Sequence, residues 1–142
     1  MAARFRAAVD GGSRGNPGPA AWGVAVLGDD DRYLEGRAGT LGRATNNAAE
    51  YEGLLAALDM AAERGADEVE IRADSELIVR QVQGLYKVRH PDLKPLHAEV
   101  MRRIRLFPHF RIVHVPREDN RHADRLVNLA LDRGQAGVLV DP

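Results

Sequence analysis

Four acidic residues stand where the chain changes direction or period: Asp10, Glu50, Asp74 and Asp124. Asp10 follows the weakly alternating run 4–9 and precedes Gly11-Gly12, and Asp74 follows Val69, Ile71 and Ala73, which alternate with charged residues. Each reads as the C-terminal end of a strand. Glu50 lies in the first turn of a long helical pattern and Asp124 in the first turn of the last one. If the two strands are parallel neighbours, Asp10 and Asp74 emerge on one sheet edge, the edge at which open α/β sheets bind ligands. Carboxylates gathered in a dry site repel and do not all ionise unless cations hold them. Oxygen-only ligands select hard ions such as Mg²⁺ or Mn²⁺. Two such ions, about 3.5–4 Å apart, activate water and stabilise a leaving oxygen in phosphodiester hydrolysis.

Taken singly, each acid also has a purely structural reading. Asn47-Ala48-Ala49-Glu50 fits a capping box, with Asn47 as cap. Asp74 or Ser75 suits the N-cap of the helix that follows. Asp124 complements a helix dipole, and Asp10 before two glycines fits an ordinary turn.

The elements that must position these acids follow from periodicity. Residues 4–9, 22–27 and 33–41 read as three strands of an antiparallel meander, with turn chemistry at Gly15-Asn16-Pro17-Gly18-Pro19 and at 28–31. From 48 to 64 the period becomes helical, with Tyr51, Leu54, Leu55, Leu58, Ala61 and Ala62 on one face, and Gly65 closes the helix. A strand at 69–73, a helix at 75–83, a helix at 95–106, a strand at 110–115 and a helix at 121–133 complete the order βββ-α-β-α-α-β-α. Asp119 is the expected N-cap of the last helix. The expected fold class is therefore α/β: a five-stranded mixed sheet, three strands antiparallel and the rest parallel, flanked by helices. Residues 1–142 read as one domain, with 134–142 a loose or docked tail.

Composition narrows the function classes. The chain has 142 residues, 44% hydrophobic and 29% charged, which fits a globular domain rather than disorder. It contains no cysteine, which removes disulfides, thiolate nucleophiles and Cys-based zinc sites. No apolar run is long enough to span a bilayer or to form a signal peptide, so a cytoplasmic location without membrane attachment is expected. The net charge of −1 argues against a protein that coats nucleic acid generically. Residues 1–76 nevertheless hold 8 Lys/Arg against 14 Asp/Glu, and residues 77–125 hold 11 against 5. One half can face phosphate while the other supplies carboxylates, although a solvated Arg-rich helix surface would give the same count. Trp22 reads as sheet-face packing, and the five histidines lack metal-ligand spacing.

Four segments together carry a family resemblance. Asp10-Gly11-Gly12-Ser13-Arg14-Gly15-Asn16-Pro17-Gly18-Pro19, Thr45-Asn46-Asn47-Ala48-Ala49-Glu50, Ala73-Asp74-Ser75 and Asn120-Arg121-His122-Ala123-Asp124 resemble, in order and spacing, the motifs of type 1 ribonucleases H. The resemblance covers residues 4 to about 131. It implies a ribonuclease H-like fold and a monomeric, sequence-nonspecific endonuclease that hydrolyses the RNA strand of RNA–DNA hybrids and leaves 5′-phosphates. Asp10, Glu50, Asp74 and Asp124 would be the catalytic metal ligands, holding two Mg²⁺ ions, or Mn²⁺, when substrate is bound. Asn16, Asn46 and Asn47 would meet base edges or 2′-hydroxyls in the minor groove, and Thr45 a DNA-strand phosphate. Short polar side chains suit an enzyme that must tell RNA from DNA by its 2′-OH.

The departures from the family pattern are specific. The connection 86–94 is short and basic where many members carry a long basic protrusion, which resembles a subgroup of archaeal and some bacterial members. Some of these also cleave double-stranded RNA, and some are fused to a second domain. Where many members have a mobile loop histidine, the segment 114–120 is shortened; His114 falls in the strand, which leaves Arg117 for that role. Glu76 stands where many members have a glutamine that touches the hybrid. Two other functions are consistent with the fold: a binding module without catalysis, disfavoured by four intact acids facing phosphate, and another nuclease or strand-transfer enzyme, which would not need Thr45-Asn46-Asn47.

Overall fold

The computed structural model describes residues 3–134 and 138–141. The strands are β1 (Arg4–Ser13), β2 (Gly18–Leu27), β3 (Tyr33–Ala44), β4 (Glu68–Ala73), β5 (His109–His114) and β6 (Val138–Asp141). The helices are α1 (Asn46–Glu63), α2 (Glu76–Val82), α3 (Lys94–Ile104) and α4 (Arg121–Arg133), with a single 3-10 turn at Arg117–Asp119. The sheet order is β5-β4-β1-β2-β3-β6. β1 to β3 form the antiparallel meander, and β4 and β5 run parallel to β1 and to each other. The mixed α/β sheet is as the sequence pattern requires, with a sixth short strand added at one edge.

That strand comes from the segment expected to be a loose or docked tail. β6 pairs antiparallel with β3 through Gly36–Gly39. The Tyr33 hydroxyl donates to Asp141, and Arg125 of α4 pairs with the same carboxylate at 2.8 Å. Residues 135–137 and 142 of the expected tail lie outside the described residues.

Period-two alternation sorts side chains onto two unequal faces. Val9, Val24, Tyr51, Leu54, Leu58, Met60, Ile71, Ile78 and Val100 fill a large core between the sheet and α1, α2 and α3. The opposite face is built of small residues: Ala8, Ala21, Ala25 and Ala38 meet Ala123, Leu126, Val127 and Ala130 of α4. Small side chains let α4 lie low on β1, β2 and β3. A Cβ on Gly23 would come within 2.8 Å of the Ala123 carbonyl, so the first turn of α4 rests directly on the strand backbone. On the other face, a Cβ on Gly11 would come within 2.2 Å of the Ala49 backbone. The two helices that carry Asp124 and Glu50 are thus pressed onto the sheet from opposite faces, α1 at Gly11 beside Asp10 and α4 at Gly23, the β2 residue paired with Asp10.

Among the described residues α4 packs chiefly on β1, β2 and β3, and ion pairs occupy the same face at β4 and the start of β1. Arg6, only 7% exposed, is satisfied there by Glu70 at 3.1 Å, the Gly28 carbonyl at 2.6 Å and Asp31 at 2.6 Å. Trp22 is half-buried against the large core, over Gly39, as sheet-face packing requires.

Gly11→Ala should cost at least about 2 kcal/mol of stability, because neither backbone can yield without lifting α1. Thermal unfolding checks this. An unchanged melting temperature would show that α1 does not need the close approach.

Candidate active site

The register explains how two acids from distant parts of the chain meet. β1 and β4 are parallel, with Val9 opposite Ala73, so Asp10 and Asp74 are the next residues on each strand. Asp10 does not end its strand, however. β1 continues to Ser13 by pairing with β2, and only the pairing with β4 stops. Glu50 approaches from α1. One carboxylate oxygen from each of Asp10, Glu50 and Asp74 falls within 4.8 Å of the others. Asp124, in the first turn of α4, is not in that tight group but lines the same cavity. The cavity, about 570 Å³, also takes Ser13, Arg14, Asn46, Ser75 and Arg117 into its wall.

The electrostatics are those of like charges confined. Asp10 is 7% exposed, and its carboxyl is pushed up to about 7, first by burial and then by Asp74 and Asp124, against a hydrogen bond from the Gly11 N–H. Glu50 is pushed up to about 9, again by burial first, then by Asp10 and Asp74; the Arg117 guanidinium opposes the shift. Glu50 Oε2 is buried with no hydrogen-bond partner among the described residues. A buried orphan oxygen facing two further carboxylates fits a hard divalent cation, which would satisfy the orphan and cancel the repulsion together. The donor set is all oxygen, as Mg²⁺ or Mn²⁺ requires.

The residues at the start of α1 divide between two grooves. Thr45 has extended backbone (φ −86°, ψ 163°) and its hydroxyl accepts from the Ala48 N–H at 3.2 Å. It is the N-cap, not Asn47: only the residue before the first helical turn can present its oxygen to that N–H. Asn46 lines the carboxylate cavity, and Asn47 lines a second groove of about 640 Å³ with Leu77, Gln81, Tyr86, Lys87 and Arg89. Asn16 joins the first group: its Oδ1 accepts from the Asn46 N–H at 3.1 Å, and Asn46 Oδ1 accepts from the Ser13 N–H at 2.8 Å. Main-chain N–H groups only donate, so both carboxamides use their oxygens for these contacts, and their NH₂ groups meet no acceptor among the described residues.

Of the remaining expectations, His114 is the exposed last residue of β5 and does not line the cavity, whereas Arg117 does. Asp119 belongs to the 3-10 turn, and Asn120 occupies the position before α4. Glu76 is exposed on the first turn of α2, which Ser75 caps at 3.3 Å, and lines neither groove.

Asn120 is a site residue that sequence reasoning missed. It is 1% exposed, and its Nδ2 donates to the Val9 carbonyl at 2.9 Å and to Asp74 Oδ2 at 3.3 Å. It ties the start of α4 to β1 and steadies one carboxylate. The available signal was a polar residue next to a helix start, which reads as a cap rather than as a buried brace.

The chain matches the family described as reverse transcriptase-like over residues 8–130. It is similar to ribonuclease HI of Halobacterium salinarum, 48% identical over 130 residues, which span 91% of this chain and 65% of that protein. It is similar also to a Mycobacterium tuberculosis protein described as bifunctional, 44% identical over 134 residues, 94% of this chain and 37% of the relative. The chain thus spans less than two thirds of either relative. Among solved structures, LC11-RNase H1 in complex with an RNA/DNA hybrid superposes with a TM-score of 0.86 at 44% identity, covering 92% of this chain and 98% of that one.

The raised carboxyls set the sign of the pH dependence. Between the ordinary carboxylate range and these raised values the metal-free folded protein holds protons that the unfolded chain has released. Its stability should therefore fall as pH rises from about 4 towards 9. At pH 8 Asp10→Asn should raise the stability of the metal-free protein by roughly 1–3 kcal/mol. Thermal melts in EDTA read both effects. Destabilisation by the substitution would show that the Asp10 charge is structural.

Proposed function

The chain belongs to the reverse transcriptase-like family and, within it, to the type 1 ribonucleases H, and on that premise we propose that it hydrolyses the RNA strand of RNA–DNA hybrids. The observation that carries this reading is the group formed by Asp10, Glu50 and Asp74 within 4.8 Å, with the buried orphan oxygen of Glu50 and Asp124 in the same cavity. These four carboxylates would hold two Mg²⁺ ions, or Mn²⁺, when substrate is bound. Those ions would supply an activated water and charge neutralisation at the leaving 3′ oxygen, which leaves a 5′-phosphate.

The protein's own groups do the rest. Asn120 fixes Asp74, the Gly11 N–H fixes Asp10, and Arg117 offers a fork of donors to charge developing on the phosphate. The NH₂ groups of Asn16 and Asn46 suit acceptors in a minor groove: base-edge oxygens and nitrogens, and the 2′-OH oxygen. These groups occur with every base, which makes the cleavage sequence-nonspecific. The first turn of α1 stands between the carboxylate cavity and the groove lined by Asn47, Tyr86, Lys87 and Arg89. A hybrid seated with its minor groove over that turn would lay its RNA strand in the first groove and its DNA strand in the second, near Thr45. Double-stranded RNA offers the same groove shape and is the nearest competing substrate.

We read residues 1–142 as one domain and as a monomeric cytoplasmic enzyme. All four acids and the cavity's guanidiniums come from one chain, and no cysteine calls for an oxidising compartment. Among the described residues no helix is long and apolar enough to cross a membrane.

Labelled hybrid, duplex DNA and duplex RNA, each incubated with Mg²⁺ or EDTA, test the reading. Hybrid cut only in Mg²⁺ and untouched duplex DNA are expected, and Asp10→Asn or Asp74→Asn should abolish most cleavage while leaving the fold intact. Equal cleavage of duplex DNA would refute it. Arg117→Ala should lower turnover roughly ten- to a thousandfold, with His114→Ala close to wild type. The reverse pattern would move the role to His114.

A further inference from the structure

The cavity wall carries a second guanidinium besides Arg117. Along the sheet edge, Arg117 follows β5, Asp74 follows β4, Asp10 lies on β1, and Arg14 opens the turn between β1 and β2. The order of the strands therefore places the carboxylates between two arginines, and both arginines line the same cavity. A strand laid across the carboxylates meets one cation on each side.

Arg14 is held at the rim by α4. Its Nη2 pairs with Asp132 at 2.6 Å, with both side chains exposed (49% and 66%). Asp132 lies eight residues beyond Asp124, about 12 Å along the helix axis, a length that spans a few phosphates of a strand. The group that Arg14 can reach is therefore a phosphate further along the strand, not the one at the carboxylates. The backbone beneath it is fixed: the Arg14 N–H donates to the Pro19 carbonyl at 2.8 Å, and Gly18 packs so close that a Cβ there would lie 2.1 Å from the Arg14 carbonyl. A fixed stem with an exposed head is the arrangement of a ligand-binding arginine. The ion pair itself, screened by water, contributes little to the fold.

We propose that Arg14 binds a phosphate of the strand being cut, within a few residues of the scissile one, and exchanges Asp132 for it when the substrate arrives. The guanidinium fork fits carboxylate and phosphate alike, so the exchange keeps its geometry. Asp132 acts as a stand-in that keeps the side chain extended over the rim, and as a competitor that substrate must displace. This assignment rests on the hybrid-cleaving reading of the cavity.

The test compares wild type, Arg14→Ala, Arg14→Lys and Asp132→Asn, in steady-state cleavage of a short hybrid over a range of KCl. The same proteins are titrated against that labelled hybrid in EDTA, where binding is read without cleavage. Arg14→Ala is expected to raise KM and Kd roughly three- to tenfold and to reduce the salt slope by about one. Its kcat should stay within about twofold and its melting temperature unchanged, and Arg14→Lys should restore part of the affinity. Asp132→Asn is expected to tighten binding, because it removes the competitor and a negative charge near the polyanion. Opposite signs for the two sides of one ion pair separate substrate binding from a structural pair, which would weaken together. Unchanged Kd and salt slope in Arg14→Ala, or parallel weakening in Arg14→Ala and Asp132→Asn, would overturn the proposal. A wild type that binds hybrid but does not cut it would instead refute the catalytic reading, and the Kd comparison would still decide the role of Arg14.

Discussion

The structure turns on mutual repulsion among carboxylates that the fold does not let apart. One carboxylate oxygen from each of Asp10, Glu50 and Asp74 lies within 4.8 Å of the others, and Asp10 and Glu50 are pushed towards the neutral form by burial and by neighbouring carboxylates. Nothing in folding alone rewards this. Carboxyls pushed so far up by burial and by like charges mark the cluster as a site whose cost is offset by a ligand. A divalent cation is the one partner that inverts the sign of every interaction in the cavity at once.

Much of the remaining architecture keeps that cluster from relaxing. β1 carries Asp10 between two pressed helices, with the Gly11 backbone against α1 and the small-residue face of β1, β2 and β3 against α4. Larger side chains at these contacts would stabilise other sheets but would move Glu50 or Asp124 away from the strand. Asn120 closes the arrangement from the third side, bonded to the Val9 carbonyl and to Asp74. The four carboxylates therefore stand on four separately anchored elements, β1, α1, α4 and the end of β4, which is what preorganisation demands of a catalytic centre.

The sequence makes the meander and the placing of four acids at element boundaries legible because they rest on alternation and helical period, but it leaves the parallel β1–β4 pairing as a condition, since periodicity does not say which strands are neighbours. It misleads where several residues compete for one role. In Thr45-Asn46-Asn47 all three can cap a helix, and only the backbone angles select Thr45. Asp119 and Asn120 pose the same choice before α4, and there the chosen residue turns inward as a brace. β6 escapes notice because four residues carry no period of their own, and their pairing with β3 is set by contacts more than a hundred residues away in sequence. Nothing local in the sequence reveals that Glu70 and Asp31 converge on the buried Arg6.

Calorimetric titration of the protein with Mn²⁺ at pH 7, in two buffers of different ionisation enthalpy, addresses the central claim most directly. Cation uptake with net release of about one proton or more is the expected result, because carboxyls that share protons when empty must give them up to bind metal. Uptake without proton release, or uptake undiminished in Asp74→Asn, would contradict the account, since the cation would then be binding away from the buried carboxylates.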